Sequence, residues 1–195
     1  KEIKEIQKEK IDILLDLSGH TSGNRLTLFA HKPAPLQVTG LGYVDTTGLS
    51  RMDYIISDGY QSPSDEDHLF TEKVWRMPGD YIVYAPPKTA PDVASLPALT
   101  NGYITFGSCN KPAKLGDATI ALWSKTLNAL PTSKLILRNI GLDQAEIQSH
   151  LAKKFRHHGV ERNRITFLGE AKHFELLATY NQFDIGLDPT PYSGG

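Results

Sequence analysis

The stretch Pro33–Gly48, PAPLQVTGLGYVDTTG, concentrates residue types that could hold a sugar or a phosphate. A short apolar run, Leu36–Val38, leads into Gly40, Leu41, Gly42 and Tyr43, and a second small-residue turn, Thr46-Thr47-Gly48, follows. Glycine lets the backbone approach a ligand closely or adopt positive φ, and N–H groups exposed in such turns suit hydroxyls and phosphates. By spacing alone, the same residues also read as a strand end with two ordinary tight turns.

A second chemical candidate is the loop Gly107-Ser108-Cys109-Asn110-Lys111-Pro112-Ala113-Lys114, which follows an apolar run and precedes a helical pattern. Free N–H groups at a helix start favour a nearby anion, and Lys114 adds a full charge that could neutralise a diphosphate. Without that context Lys114 reads as a solvated surface lysine. Arg138-Asn139 closes the next apolar run, and Asp188-Pro189-Thr190-Pro191-Tyr192-Ser193-Gly194-Gly195 closes the last. In that final loop two prolines set the backbone direction, and Gly194-Gly195 permits close approach to a phosphate; the plainer reading is a rigid exit loop. His20 follows the first apolar run, where a base or hydrogen-bond donor could reach a ligand. His157-His158 reads as charge complementing a helix C-terminus. The seven histidines lack metal-ligand spacing, and no nucleophile elbow, Walker loop or GxGxxG pattern occurs. Cys109 reads as a small packing residue.

These loops need elements to position them. Apolar runs of four to seven residues alternate with helical patterns, the signature of βα repeats and parallel sheets. Strands are expected at Ile11–Leu17, Leu36–Val38, Tyr54–Ile56, Val74–Met77, Tyr103–Gly107, Lys134–Arg138, Arg164–Leu168 and Asp184–Asp188. Helices are expected from an Asn24 cap to Ala30, from Ser64, and over Asp117–Ala129, Asp143–His158 and His173–Asn181. Pro86, Pro87, Pro91 and Pro97 mark residues 86–102 as a linker between two α/β halves, 1–85 and 103–195. Ligands of open parallel sheets bind at the strand carboxyl ends, where the candidate loops lie. The expectation is that the Leu41-Gly42 turn and the Lys114 ammonium border a common crevice.

Composition excludes several classes. With 195 residues, 39% hydrophobic and 22% charged, the chain is long enough for one large or two modest cores. A net charge of −1 provides no basic field for nucleic acid or a membrane surface. No apolar run approaches the roughly 20 residues of a membrane span. One cysteine cannot form an internal disulfide, which fits a reducing, cytoplasmic compartment. The charged start Lys1–Lys10 feeds directly into a strand pattern, and the end falls just after another, so the chain reads as a fragment.

Taken together, IDILLDLSGHTSGNRLTLFAHKPAPLQVTGLGYVDTTG (Ile11–Gly48), ITFGSCNKPAK (Ile104–Lys114) and DIGLDPTPYSGG (Asp184–Gly195) resemble the catalytic region of O-GlcNAc transferase-like glycosyltransferases. The resemblance runs through nearly the whole chain in order, and this version looks bacterial. It implies an α/β GT-B fold of two Rossmann-like lobes, with residues 1–85 the later part of the N-terminal lobe and residues 103–195 the earlier part of the C-terminal lobe. It further implies transfer of a sugar from a nucleotide-sugar donor, UDP-GlcNAc foremost, onto Ser or Thr of a protein or peptide acceptor. No metal or other cofactor is implied, and tetratricopeptide repeats are expected upstream. Leu41, Gly42 and neighbouring Tyr43 match the donor-sugar turn, and Asn110 and Lys111 the nucleotide-contacting loop. Lys114 matches the catalytic lysine at the diphosphate, and Gly194 and Gly195 the approach to it. His20 and His173 are lesser candidates, with Leu176 an alternative match to the family histidine near His173.

Gly40 stands where the family usually has Trp, and Lys111-Pro112 replaces an Asn-Leu-like pair. The Thr-rich helix start that should cradle the diphosphate lies beyond Gly195, so residues 1–195 alone are expected neither to turn over nor to bind donor tightly. A GDP-fucose-using SPINDLY-type enzyme and a non-catalytic scaffold with a degenerate transferase fold remain open alternatives.

Overall fold

The apolar runs become parallel strands, but their burial differs from what the runs suggest. The computed structural model describes residues 2–194 and divides into two compact units, Lys1–Ala85 and Pro86–Gly195. In the first unit α1 (Glu2–Lys8) precedes β1 (Ile13–Asp16), α2 (Leu26–Phe29), β2 (Leu36–Gly40), β3 (Tyr54–Asp58), a 3-10 turn Ser64–Leu69 and β4 (Lys73–Met77). The four strands pair in sequence order and all run parallel.

One face of this sheet carries Leu14, Asp16, Gln37, Thr39, Ile55 and Ser57. It packs against the cluster of Leu26, Phe29 and Met52. Several of these buried positions are polar, so their hydrogen bonds must be found internally. Gln37 donates to the carbonyls of Phe29 and Arg51 at 2.9 and 2.8 Å, and its own N–H donates to Asp53 at 2.7 Å. The other face aligns Ile13 with Leu36, Leu15 with Val38 and Ile56 with Trp75. Ile13, Leu15 and Trp75 remain 53–58% exposed there, unlike the two-sided burial usual for a parallel sheet. The strand expected over Ile11–Leu17 is therefore shorter; it buries Asp16, half-buries Leu14 and leaves Ile13 and Leu15 exposed. Asn24 does not occupy the cap itself, which is Arg25, but its Oδ1 accepts the Leu26 N–H at 3.2 Å.

The second unit contains α3 (Ala98–Asn101), β5 (Thr105–Ser108), a 3-10 turn Pro112–Lys114, α4 (Asp117–Ala129) and β6 (Lys134–Arg138). It continues through α5 (Ala145–His157), the turn Arg162–Arg164, β7 (Ile165–Leu168), α6 (His173–Thr179), the turn Tyr180–Gln182 and β8 (Ile185–Gly186). Ile120, Trp123 and Leu127 of α4 and Leu151 and Phe155 of α5 pack with Phe106, Leu135, Leu137 and Ile165 of the strands in one buried core. The strand order is β7-β6-β5-β8, all parallel. The chain thus moves outward from β5 to β7 and returns to the opposite side of β5. That reversal is the topological switch point of an open α/β sheet.

The proline-rich stretch is fastened to this unit. Asn181 donates to the Asp92 carbonyl and accepts the Ala94 N–H, and Asp184 accepts the N–H groups of Ala98 and Thr105.

Candidate functional site

In the first unit the site begins with an aspartate that closes an apolar strand. Asp16 is buried at the end of β1 and accepts the N–H of Gly19 at 2.8 Å, the N–H of Ser18 at 3.2 Å and the Thr39 hydroxyl at 2.8 Å. Three donors satisfy the carboxylate and lock the Ser18–His20 turn to β2. Beyond Gly40, Leu41 takes the left-handed conformation with φ +69°, and the Gly42 N–H donates back to the Gly40 carbonyl at 2.9 Å. A Cβ on Gly42 would lie 1.9 Å from the Leu17 carbonyl oxygen, and one on Gly19 would lie 2.3 Å from the Tyr43 Cβ. The turns after β1 and β2 therefore interlock, Gly42 against the Leu17 backbone and Gly19 against the Tyr43 side chain, and both positions favour glycine.

His20 completes this group. Its ring meets the Tyr43 ring edge-on at 5.4 Å, and its Nε2 lies 3.1 Å from the Thr47 carbonyl. Leu41, Gly42, Tyr43 and His20 are thus assembled at the carboxyl ends of β1 and β2. Asp16, which ties the turn after β1 to Thr39 of β2, and Glu72, which bonds Thr46 and Thr47 farther along the crossover, were not singled out from sequence. Asp16 had a signal, a carboxylate ending an apolar run; Glu72 had none.

Several carboxylates of this unit are more acidic than usual. Burial works against the charge on Glu72, but the Thr46 and Thr47 hydroxyls and the Thr47 N–H outweigh it. Asp58 is lowered by the N–H groups of Gln61 and Tyr81. Burial also opposes the charge on Asp53, and the Lys32 ammonium and the Gln37 N–H overcome it. A carboxyl more acidic in the folded than the unfolded state contributes stability that is present above its unfolded value and lost as pH falls through its folded one. The first unit is therefore expected to lose stability progressively below about pH 4. Thermal melts at pH 7, 5, 4 and 3 check this, and Glu72→Gln should flatten the decline.

In the second unit, a hollow of about 350 Å3 opens at the carboxyl ends of β5 and β8. Ser108, Cys109, Asn110, Tyr180, Phe183 and Asp188 contribute to its walls, with Gly194 at one side. Asn110 Nδ2 lies 3.3 Å from Asp188 Oδ1 and 3.2 Å from Ser108 Oγ, and the Gly194 N–H donates to the same Asp188 oxygen at 2.7 Å. Lys114 stands next to this group without lining the hollow. Its Nζ donates to the Ser193 carbonyl at 2.5 Å and lies 4.5 Å from the centre of the Tyr192 ring. Thr119 anchors the same exit loop, donating to the Thr190 carbonyl at 2.8 Å.

Other candidates are not among the lining residues. Lys111 is exposed at the cap of the 3-10 turn, and His173 is exposed at the first residue of α6; neither lines the hollow. Leu176 is half-buried in the same helix, and Gly195 falls outside the described residues. Tyr180 and Phe183 line the hollow, although the sequence pointed to neither. Burial pushes the Cys109 thiol up despite the nearby Tyr180 hydroxyl and Arg138 charge, which suits a packing role better than a reactive one. Among the described residues no three His, Cys, Asp or Glu side chains converge as a metal site needs, and no helix is long and apolar enough to cross a membrane.

The two parallel α/β sheets, with glycine-bearing turns and a lysine loop at their strand ends, have the architecture of a GT-B glycosyltransferase. Over 98% of its length the chain superposes with a TM-score of 0.93 on a mutant O-GlcNAc transferase of Thermobaculum terrenum, at 38% sequence identity, covering 36% of that chain. Residues 1–87 match Glycosyl transferase family 41. Two similar relatives are named probable UDP-N-acetylglucosamine–peptide N-acetylglucosaminyltransferase SPINDLY. The one from Oryza sativa subsp. japonica is 37% identical over 191 residues, which is 97% of this chain and 20% of the relative. The one from Arabidopsis thaliana is 36% identical over 190 residues, 97% of this chain and 21% of the relative. The chain thus spans about one fifth of the length of the curated relatives it matches. It belongs to the O-GlcNAc transferase-like glycosyltransferases.

Proposed function

We propose that this chain supplies donor-binding elements of a protein glycosyltransferase that moves N-acetylglucosamine from UDP-GlcNAc to Ser or Thr hydroxyls of a protein acceptor. The observation carrying this reading is the hollow at the switch point between β5 and β8, where an open parallel sheet offers converging loop ends to a nucleotide. In this reading Asn110, Lys111 and Gly194, with Gly195 beyond it, contact the nucleotide and its phosphates. Lys114 exchanges the Ser193 carbonyl for the diphosphate, and Leu41, Gly42 and Tyr43 meet the sugar. As the bond from sugar C1 to the diphosphate breaks, negative charge grows on the leaving group, and a fixed ammonium stabilises that state. The acceptor oxygen bonds to C1, and its proton passes to the departing diphosphate or to solvent. No metal ion takes part in this reading.

The same reading makes residues 1–85 the later part of an N-terminal lobe, 86–102 a connection and 103–195 the earlier part of a C-terminal lobe. A bacterial, cytoplasmic protein with tetratricopeptide repeats upstream fits a chain with one unpaired cysteine and relatives about five times longer. The test is a thermal shift and transfer assay on the complete protein with UDP-GlcNAc and GDP-fucose. Stabilisation and transfer with UDP-GlcNAc alone is expected. Transfer with GDP-fucose alone moves the protein to a fucosyl donor, and response to neither would overturn the transferase reading in favour of a scaffold.

A further inference from the structure

Glu72 is almost fully buried just before β4, yet every group it holds belongs to the crossover from β2 to β3 or to its neighbour Thr71. Its carboxylate accepts the Thr46 hydroxyl at 2.6 Å, the Thr47 N–H at 2.8 Å, the Thr47 hydroxyl and the Thr71 hydroxyl at 3.1 Å. Among the described residues no lysine or arginine forms an ion pair with it. A buried charge is costly unless hydrogen bonds satisfy it, and here neutral donors at fixed positions do so. Such a carboxylate is sensitive to the geometry of those donors.

The Thr47 residue that Glu72 grips faces His20 with its carbonyl, 3.1 Å from Nε2. A carbonyl only accepts, so Nε2 is the donor in this contact. The same ring packs edge-on against Tyr43, whose Cβ leaves no room at Gly19. Between Tyr43 and β2 lies Leu41, a non-glycine residue in the left-handed region, a conformation that persists only where its surroundings impose it. From the side of β1, Asp16 ties the Ser18–Gly19 turn to Thr39, two residues before Leu41. Glu72 is the corresponding anchor from the side of the crossover.

We propose that Glu72 is a positioning residue for the donor-sugar turn, acting through Thr47 and His20 on Tyr43, Gly42 and Leu41. The inference rests on the glycosyltransferase reading for its kinetic consequence, but not for the His20 contact itself. Glu72→Gln in the complete protein keeps the side-chain shape and replaces one acceptor oxygen by an amide donor facing the Thr46 and Thr47 donors. Two measurements test the proposal. The KM for the sugar nucleotide should rise about tenfold, while kcat and the affinity for the nucleoside diphosphate lacking the sugar change less than about twofold. Thr46→Val, which deletes one donor without adding another, should move KM in the same direction by a smaller factor. Independently of turnover, long-range nitrogen–proton spectra of histidine-labelled protein should show His20 protonated at Nε2 in the wild type and mixed between tautomers in Glu72→Gln.

Unchanged donor KM in an active enzyme, or a fall in melting temperature with kinetics per folded molecule unaltered, would overturn the positioning role. A wild type inactive with every sugar nucleotide tried sinks the transferase reading instead. In that case the His20 spectra decide the inference, and an unshifted tautomer in Glu72→Gln ends it.

Discussion

Lys114→Ala in the complete protein is expected to lower kcat/KM for sugar transfer by about 30- to 900-fold, equivalent to about 2–4 kcal/mol of transition-state stabilisation. The lysine ends a 3-10 turn directly after β5, and its ammonium reaches the exit loop of β8 at Ser193 and Tyr192. In this resting arrangement it makes one hydrogen bond to a carbonyl and one ring contact, each worth about 1 kcal/mol or less at a solvent-accessible position. Removal should therefore leave the melting temperature nearly unchanged while transfer collapses. That contrast carries the test. A structural lysine would lose stability and activity together, whereas a phosphate-neutralising lysine loses activity alone. Transfer assays at saturating acceptor with a parallel thermal melt check it, and undiminished transfer would leave Lys114 without its proposed role.

Gly42→Ala should produce the largest effect in the first unit, for a different reason. The added Cβ would meet the Leu17 carbonyl oxygen at 1.9 Å, and that neighbour is backbone, with no side-chain rotation available to relieve the clash. Either β1 separates from the turn or the turn abandons its path, at a cost of about 3 kcal/mol or more. The expected result is a clearly lowered unfolding midpoint for the first unit, together with loss of donor-sugar recognition. Denaturant unfolding followed by tryptophan fluorescence provides a direct measurement, since Trp75 lies in this unit and Trp123 in the other. An alanine accommodated without loss of stability would contradict the interlocked turns described above. Leu41→Gly makes a useful companion, because it relieves the left-handed strain at φ +69° without introducing a clash.

Much of the fold was legible because apolar periodicity is a local property. Ile120, Trp123 and Leu127 recur at spacings of three and four, and the helix over Asp117–Ala129 has the expected bounds. Lys134–Arg138 likewise forms the strand its pattern indicates. Boundaries slipped where the pattern is continuous. Ile11–Leu17 reads as one apolar strand, whereas β1 spans only Ile13–Asp16, buries Asp16 and leaves Ile13 and Leu15 exposed, because hydrophobic runs do not encode which face meets the core. The site was legible to the extent that its residues sit in loops just after strands. His173 and Lys111 do not line the hollow, while Tyr180 and Phe183 line it without a motif of their own.

The amino-acid sequence by itself determined the βα order, the parallel class and the loops that hold Leu41, Gly42, Asn110 and Lys114, since each follows from residue types a few positions apart. Only the tertiary structure decided that β8 lies beside β5, that Asp188 meets Asn110 across 78 residues of chain, and that Glu72 grips Thr46 and Thr47 from 25 to 26 residues away. Those pairings depend on which distant donors and acceptors the packed sheets bring within hydrogen-bonding distance. No local pattern specifies them, because a carboxylate far along the chain acquires its partners only when the intervening strands have found their register.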